Sequence, residues 1–473
     1  MAGMLDRLYW ASPLWLQQVG VAAWGVVWYA RRHGGHFHRL AAELREHESW
    51  EVAQFLTYQE ERLARVLAAA WNTPYYAEVF RQLGLRRGMD PWDALRRLPV
   101  LSKDTFRRRK KDILVAGRLP RGVTVFNTSG TTGTPLGIYY TRQFHALQTA
   151  VAEVRSLNVG GATHRSRRFM CGGRKVCAFD QQSPPFWRAS PIERLVYGSS
   201  YHLSPAFLRH YVDLLRRFRP EVVMGYPSAL GTIAHYALTH GQDLPPATMA
   251  VTTAETLSDQ QRRSIEEAWH CRLFDRYGAI ENCVFAGQCE FGRYHVSPEI
   301  GIVEILRKDG RPCDPGEIGE VVCTGLHNVI QPLIRYRLGD AACWAQDQAC
   351  ACGRNMPILE RIEGRLDDML YTADGRRVGR VDHIFKGVDN VVEAQVVQDR
   401  IDAFTVRLVP GPGFGELEAG RIRANLRTHV GDVAIRVQTL ASLERSPSGK
   451  FRAVLCKLDE IERRRATASA RAA

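Results

Sequence analysis

Hydrophobic residues repeat at helical spacing in the first part of the chain. Phe55, Leu63 and Val66 lie on compatible faces of a stretch from residue 50 to 80, which predicts helix. The segment 72–76, Asn-Thr-Pro-Tyr-Tyr, breaks this pattern, because proline cannot continue a helix that began before it.

Strand and helix patterns alternate in the middle of the chain. Short apolar runs predict strands at 221–226, 249–254 and 271–277. Ser258–Gln261 has the spacing of a capping box, which predicts a helix running to about His270. This alternation indicates an α/β fold with a mixed sheet.

The last hundred residues have a different pattern. Alternating apolar residues predict strands at 391–398, 403–409 and 433–440, with a helix at 415–430. We expect this helix to turn four apolar side chains inward: Leu417, Ile422, Leu426 and Val430. The segment therefore indicates a small α+β domain.

These patterns predict three parts. Residues 1–48 form an aromatic, amphipathic extension, and 49–365 form a large domain with mixed sheets. Residues 366–473 form a small α+β domain that ends in a basic tail.

The run Leu8–Ala30 carries no formal charge and contains four tryptophans. Its length could span a bilayer, but two glutamines, a serine and a proline dilute it. The tryptophans and the arginines that follow suit peripheral association with a membrane surface. Packing against the protein body is the other interpretation, and both stay open.

Composition narrows the class of protein. At 473 residues and 45% hydrophobic content, the chain is an ordinary globular protein larger than one typical domain. Its formal net charge is +14, but the basic residues are scattered, which favours a solvated surface over a nucleic-acid partner. Eleven irregularly spaced cysteines and no cleaved signal pattern indicate a reducing cytoplasm.

The segment 127–137, NTSGTTGTPLG, has three glycines and five hydroxyl side chains between two short predicted strands. Glycine lets the backbone approach a phosphate, and the hydroxyls can donate hydrogen bonds to it. It lacks the Gly-Lys ending of a Walker loop. A surface hairpin is the competing interpretation of the segment taken alone.

Three further signals follow in order. Glu281 ends the motif Tyr-Gly-Ala-Ile-Glu just after a predicted strand, where a carboxylate can hold Mg²⁺. Asp340 follows a glycine in Tyr-Arg-Leu-Gly-Asp and can accept hydrogen bonds from ribose hydroxyls. Lys450 follows a glycine near the C-terminus.

The order of these motifs is specific: TSGTTGTP, AE, YGAIE, YRLGD, GRLDD and SGK. In this order the sequence resembles the adenylate-forming, AMP-producing ligase superfamily. It looks most like the phenylacetate–CoA ligase-like branch and its CapK-type members, which are linked to capsular polysaccharide synthesis. The resemblance covers residues 49–454. It implies that 49–365 is the adenylation domain and that a hinge joins it to a small, mobile C-terminal domain at 366–473.

The resemblance implies a role for each matching residue. Tyr277 would flank adenine, Glu281 would hold Mg²⁺, and Asp340 would bind ribose. Lys450, Glu281 and Thr131 would be catalytic. Ala254 and Glu255 would border adenine, and Arg365 and Asp367 would lie at the hinge. The phosphate loop would consist of Thr128, Ser129, Gly130, Thr131, Thr132 and Gly133.

The implied reaction activates a carboxylic acid with ATP and Mg²⁺, releasing pyrophosphate. The acyl group then passes to an amine or hydroxyl, for which a glycan precursor is one candidate, or to CoA. The sequence after 364–370 departs from the usual phenylacetate ligase pattern, so the acceptor stays open. A scaffold that kept the fold without the chemistry is a further alternative, against which the intact Glu281, Asp340 and Lys450 argue.

Four residues form a separate candidate zinc site: Cys289, His295, Cys350 and Cys352. The pair Cys289 and His295 and the pair Cys350 and Cys352 can together close a tetrahedral structural site. Some members of the branch carry zinc at what looks like this place. Cys283 is an alternative ligand. Buried free thiols with a core histidine are the competing interpretation.

Overall fold

A computed structural model describes residues 9–115, 119, 122–127, 136–366, 369–373, 377–378, 382–385, 388, 390–446, 449–459 and 462. Within these residues the fold is α/β with mixed sheets, as predicted, and it has a smaller C-terminal α/β element. The chain forms two compact units. The first unit consists of residues 1–166, 189–195 and 274–362, and the second of 167–188, 196–273 and 363–473.

The helices are numbered in chain order. Helices α1 to α11 lie at Leu14–His33, Gly35–Glu46, Val52–Ala70, Pro74–Gln82, Pro91–Arg97, Lys103–Arg108, Arg142–Ala152, Pro205–Phe218, Pro227–Thr239, Asp259–Trp269 and Glu416–Val430.

The strands are numbered in the same way. Strands β1 to β20 lie at Thr124–Asn127, Gly137–Tyr140, Arg168–Gly172, Trp187–Ser190, Leu195–Ser199, Val222–Gly225, Met249–Thr253, Arg272–Gly278, Phe285–Gln288, Tyr294–Val296, Gly301–Leu306, Gly319–Gly325, Tyr336–Trp344, Ile358–Arg365, Leu370–Tyr371, Arg377–Val378, Val391–Arg400, Ala403–Pro410, Ala434–Thr439 and Val454–Cys456.

The first unit is built on antiparallel strands. Its strands are ordered β11-β12-β13-β14-β10-β9-β8. The pairs β11–β12, β12–β13, β10–β14, β9–β10 and β8–β9 are antiparallel. Its core includes Leu63, Val66, Phe106 and Tyr336, none of which is more than 1% exposed.

The second unit contains parallel strands and a C-terminal sheet. Strand β6 pairs in parallel with β3 and β7. The C-terminal sheet has the order β19-β18-β17-β20, and α11 packs with it around Phe404, Ile422 and Leu426. This is the α+β arrangement predicted for the last hundred residues.

The local predictions agree with the structure in most places. Helices α3 and α4 are separated at Thr73, whose side chain caps α4 ahead of Pro74. Ser258 and Gln261 form both bonds of the predicted capping box. The inward placement of Leu417 is wrong, because this side chain is 65% exposed. It lies five residues before Ile422, which turns it about 140° away on a helix of 3.6 residues per turn.

Helix α1 packs on the protein body through a mixed side, which includes Trp28, whose ring lies 5.2 Å from the His145 ring. Gln18 exchanges two hydrogen bonds with the backbone of Ala189, at 2.5 and 3.1 Å, and Gly25 lies against Ser190. Its exposed large side chains are all apolar: Leu14, Trp15, Leu16, Val19, Trp24, Val26 and Val27. In the described part of the chain, no helix is long and apolar enough to cross a membrane.

Candidate active site

Glu281 lies in the turn between β8 and β9, and the residue is only 6% exposed. The Tyr336 hydroxyl donates to Glu281 Oε1 at 3.1 Å. Burial raises the pKa of Glu281, and its own backbone N–H, the Lys103 charge and the Tyr336 hydroxyl oppose this rise. A carboxylate in this setting is a suitable ligand for a hard cation such as Mg²⁺.

The side chains of Tyr277 and Asp340 are joined by a hydrogen bond. The Tyr277 hydroxyl donates to Asp340 Oδ2 at 2.7 Å, which joins the end of β8 to β13 across 63 residues of sequence. Burial raises the pKa of Tyr277 well above its ordinary value, and the Asp340 charge adds to this rise. The hydroxyl therefore stays protonated and donates.

The turn that carries Glu281 is also anchored from β2. The buried Tyr140 hydroxyl donates to the Ile280 carbonyl at 2.5 Å. The first unit thus brings Tyr277, Glu281 and Asp340 together, with Glu281 and Asp340 close enough to interact electrostatically.

The predicted phosphate loop, Thr128, Ser129, Gly130, Thr131, Thr132 and Gly133, lies outside the described residues. The strands on either side of it are present: β1 and β2 pair antiparallel, with Asn127 opposite Gly137. Asp367 also lies outside the described residues. Arg365 is half-buried at the end of β14.

Ala254, Glu255 and Lys450 belong to the second unit. Ala254 follows β7 and has a φ of 72°. Glu255 Oε1 accepts the N–H of Phe451 at 2.5 Å, and Oε2 accepts the N–H of Ser228 at 3.2 Å. Burial raises the pKa of Glu255, although the Phe451 N–H and the Arg445 charge oppose this rise.

The four zinc-candidate residues do come together in the first unit. Their ligand atoms all lie within 4.8 Å of one another. Cys289 Sγ is 3.7 Å from Cys350 Sγ, and Cys352 Sγ is 3.3 Å from His295 Nε2. Burial, together with the Arg354 charge, lowers the pKa of His295 to about 4, so its ring is neutral at pH 7. Cys283 is not in this group, and a hydrogen bond joins its free thiol to that of Cys323.

The sequence did not point to several residues that interact with the candidate site residues. Tyr336 is the first residue of the Tyr-Arg-Leu-Gly-Asp motif, and Lys103 lies at the start of α6, but neither position shows that the residue acts on Glu281. Arg445 precedes the Lys450 motif and pairs with Glu393 at 2.5 Å. Glu393 carried no local signal, because it is one polar residue in an ordinary strand pattern.

Two protein-family models match this chain. The AMP-binding enzyme family matches residues 120–330, and the CapK C-terminal domain matches residues 370–457. Protein CapK of Staphylococcus aureus is 26% identical over 411 residues, which cover 86% of this chain and 88% of that protein. Phenylacetate-coenzyme A ligase of Thermus thermophilus is 28% identical over 321 residues, covering 66% and 70%.

A solved structure of 2-hydroxyisobutyryl-CoA ligase in the postadenylation state, in complex with R3-HIB-AMP, has the same fold. The TM-score is 0.67 at 20% identity, covering 91% of this chain and 94% of that one. The chain belongs to the adenylate-forming, AMP-producing ligases. Within them it is of the CapK type, in the phenylacetate–CoA ligase-like branch. The predicted enzyme class and family are thereby confirmed.

Proposed function

We propose that this protein activates a carboxylic acid as its acyl-adenylate, using ATP and releasing pyrophosphate, and then transfers the acyl group to an acceptor. The observation that supports this most is the group formed by Tyr277, Glu281 and Asp340 in the first unit. It combines an aromatic face for a base, a buried carboxylate for a cation, and a carboxylate for ribose hydroxyls.

The chemistry needs positive charge at the α-phosphate of ATP. A carboxylate is a poor acylating agent because its leaving group is oxide, and attack on the α-phosphorus replaces that leaving group with AMP. Two anions must approach each other in this step. Mg²⁺ held by Glu281 would lower this repulsion, and the Lys450 ammonium adds a compact charge on a flexible stem.

The remaining roles follow the family pattern. The loop of Thr128 to Gly133, including Thr131, would hold the departing pyrophosphate. Ala254 and Glu255 would border adenine, and Arg365 would belong to the hinge between the adenylation and C-terminal domains. The domain boundaries at 48 and 365 are part of this proposal.

Carboxylate-dependent ATP–pyrophosphate exchange tests the proposed reaction. A panel of aryl, fatty, amino and sugar acids is assayed with wild type, Lys450→Ala and the control Lys457→Ala, whose side chain is half exposed. We expect one acid class to support exchange and Lys450→Ala to lower its rate about 10²- to 10³-fold. Exchange that survives in Lys450→Ala contradicts the assignment of this lysine.

The acceptor is proposed to be an amine or hydroxyl, with a glycan precursor as the candidate. The supporting observation is that residues 370–457 match the CapK C-terminal domain. Formation of a CoA thioester is the second candidate, favoured by the phenylacetate-coenzyme A ligase relatives. Consumption of the adenylate with and without CoA separates them: strict dependence on CoA would favour the second.

We also propose that Cys289, His295, Cys350 and Cys352 hold a structural zinc ion. In a tetrahedral site with Zn–S bonds of about 2.3 Å, neighbouring sulfurs are about 3.8 Å apart, close to the 3.7 Å between Cys289 and Cys350. Four protein ligands leave no open position for catalysis. The neutral His295 ring fits this role.

Zinc content decides this proposal. Purified wild type should contain about one zinc per chain and lose thermal stability on chelation, because structural zinc contributes to folding. Cys350→Ser should contain less zinc, whereas Cys271→Ser, which alters a thiol outside the group, should keep it. Wild-type protein without zinc would end the idea.

We further propose that α1 rests on a membrane surface. The side that carries Gln18 and Trp28 contacts the protein body, and the outward side carries Trp15 and Trp24, which are 68% and 58% exposed. Aromatic and aliphatic residues on one face of a helix are typical of interfacial binding.

Vesicle co-sedimentation tests the membrane proposal. Wild type should sediment with lipid vesicles. So should the control Leu417→Glu, which alters a leucine outside α1 that is about as exposed as Trp15. The double variant Trp15→Glu/Val19→Glu should stay in the supernatant. Equal sedimentation of all three proteins would contradict the role of α1.

A further inference from the structure

One serine closes the loop that carries Lys450. The Ser446 carbonyl accepts the N–H of Gly449 at 2.8 Å, and its hydroxyl accepts the N–H of Lys450 at 3.1 Å. The Ser446 N–H donates to the Lys450 carbonyl at 2.9 Å. The backbone of Lys450 is therefore fixed on both sides, although its side chain has a flexible stem.

Gly449 lets this loop lie close to Tyr201. Its φ is 73°, in the left-handed region that favours glycine. A Cβ atom at this position would come within 2.8 Å of Ser200 Oγ and 2.9 Å of the Tyr201 ring. Conformation and space both require glycine beside Lys450.

Glu255 joins this loop to the start of α9. One carboxylate oxygen accepts the N–H of Phe451, the residue after Lys450, and the other accepts the N–H of Ser228. Ser228 is the second residue of α9, so its N–H has no acceptor within the helix. A single carboxylate thus satisfies a helix end and the Lys450 loop together.

Two neighbours support this arrangement of Glu255. Ala254 adopts a left-handed conformation, which is costly for a residue with a Cβ atom and persists where the surroundings hold it. Arg445 lies over the Phe451 ring, 4.9 Å from its centre, and its charge favours the ionised form of Glu255.

We propose that Glu255 is a positioning residue for adenylation: by binding the N–H of Phe451, its carboxylate fixes the backbone from which Lys450 reaches the reacting phosphate. The proposal rests on the function proposed above for Lys450. In this arrangement the backbone of Glu255 borders adenine, while its carboxylate binds the backbone of the Lys450 loop. Because the bonds are to backbone groups, they fix the loop rather than the lysine side chain itself.

Glu255→Gln tests this role with little change in size. An amide nitrogen cannot accept a hydrogen bond, so one of the two N–H groups loses its acceptor. We expect kcat for pyrophosphate exchange to fall about tenfold or more, with KM for ATP changed less than about twofold. Glu267→Gln, which alters an exposed residue of α10, is the matched control.

Two readouts separate positioning from general destabilisation. In a Lys450→Ala background, Glu255→Gln should cause no further loss of rate, because the positioned group is already gone. In wild type, the amide of Phe451 should exchange hydrogen for deuterium at least about tenfold more slowly than in Glu255→Gln, while amides of β17 and β18 keep their rates. Equal rate losses in both backgrounds, or unchanged exchange at Phe451, overturn the proposal.

A second variant reaches the same loop by another route. Ser446→Ala removes the hydroxyl that accepts the N–H of Lys450 and leaves Glu255 intact, so it should also lower kcat. If Lys450→Ala does not slow pyrophosphate exchange, the proposed function fails and this role with it. If Lys450→Ala abolishes exchange but Glu255→Gln leaves it at the wild-type rate, only the positioning role fails.

Discussion

Two glutamates that follow strands in this protein are held in different ways. Glu255, after β7, accepts backbone N–H groups from Ser228 and Phe451. Glu281, after β8, accepts its own backbone N–H and the side-chain hydroxyl of Tyr336. Backbone groups are fixed by the fold, whereas a hydroxyl hydrogen can rotate to suit its surroundings.

The difference shows that position in a motif does not decide the role of a carboxylate. Both residues belong to motifs that the family places at the nucleotide, and burial raises the pKa of both. A carboxylate whose two oxygens bind fixed N–H groups is suited to holding a segment of chain. A carboxylate that accepts its own N–H and one hydroxyl binds no distant backbone segment through those bonds and keeps lone pairs for a cation.

The largest expected effect is at Glu281. Glu281→Gln keeps the shape of the side chain but removes the carboxylate charge that we propose binds Mg²⁺. The kcat for pyrophosphate exchange should therefore fall about 10²- to 10³-fold. Titration with Mg²⁺ measures the change, with Glu267→Gln as the control. If Glu281→Gln keeps the wild-type rate and the wild-type Mg²⁺ dependence, Glu281 does not bind the metal and the contrast with Glu255 fails.

The next effect concerns Glu393, which shares Arg445 with Glu255. Burial raises the pKa of Glu393 from 4.5 to about 7, against the Arg445 charge and with help from Glu255. Between pH 4.5 and 7 the folded state binds the Glu393 proton more tightly than the unfolded state does. The contribution of Glu393 to the free energy of unfolding is therefore present at low pH and is lost as the pH rises through 7. Urea unfolding should show wild type losing roughly 3 kcal/mol relative to Glu393→Gln between pH 4.5 and 7.5. Parallel pH profiles would contradict this.

A smaller effect is expected from Tyr336→Phe. Loss of a hydroxyl that donates to a buried carboxylate costs about 1.5–3 kcal/mol and removes one influence that lowers the pKa of Glu281. Half-saturation of exchange by Mg²⁺ should therefore require a higher concentration, most clearly at low pH. Tyr236→Phe, on α9, is the control, and identical Mg²⁺ curves for both variants would argue against the Tyr336 bond.

The smallest effect is expected at Ala254. Its φ of 72° disfavours a Cβ atom, while glycine loses more freedom on folding, so Ala254→Gly should change stability by no more than about 1 kcal/mol. Ala254→Val should be more destabilising and should speed amide exchange at Phe451, because branching at Cβ makes this conformation harder to keep. Thermal unfolding and hydrogen exchange measure both, and a tolerated valine would show that Glu255 does not depend on this turn.

Local sequence determined the elements and the class of this protein. The Ser258–Gln261 capping box, the break before Pro74 and the alternation of strands with helices arise from contacts within a few residues. The ordered motifs from Thr128 to Lys450 indicated an adenylate-forming ligase, because each motif is a short, contiguous run. These features were readable without knowing the path of the chain.

Only the tertiary structure decided which groups meet. The bond from Tyr277 to Asp340 spans 63 residues, and the bond from Phe451 to Glu255 spans 196. The sequence likewise showed that α1 and α11 contain many apolar residues. Which of them face outward, as Trp15 and Leu417 do, depends on the neighbours that pack against each helix. Periodicity defines a face relative to its own helix axis, and only the packed chain determines whether that face meets protein or solvent.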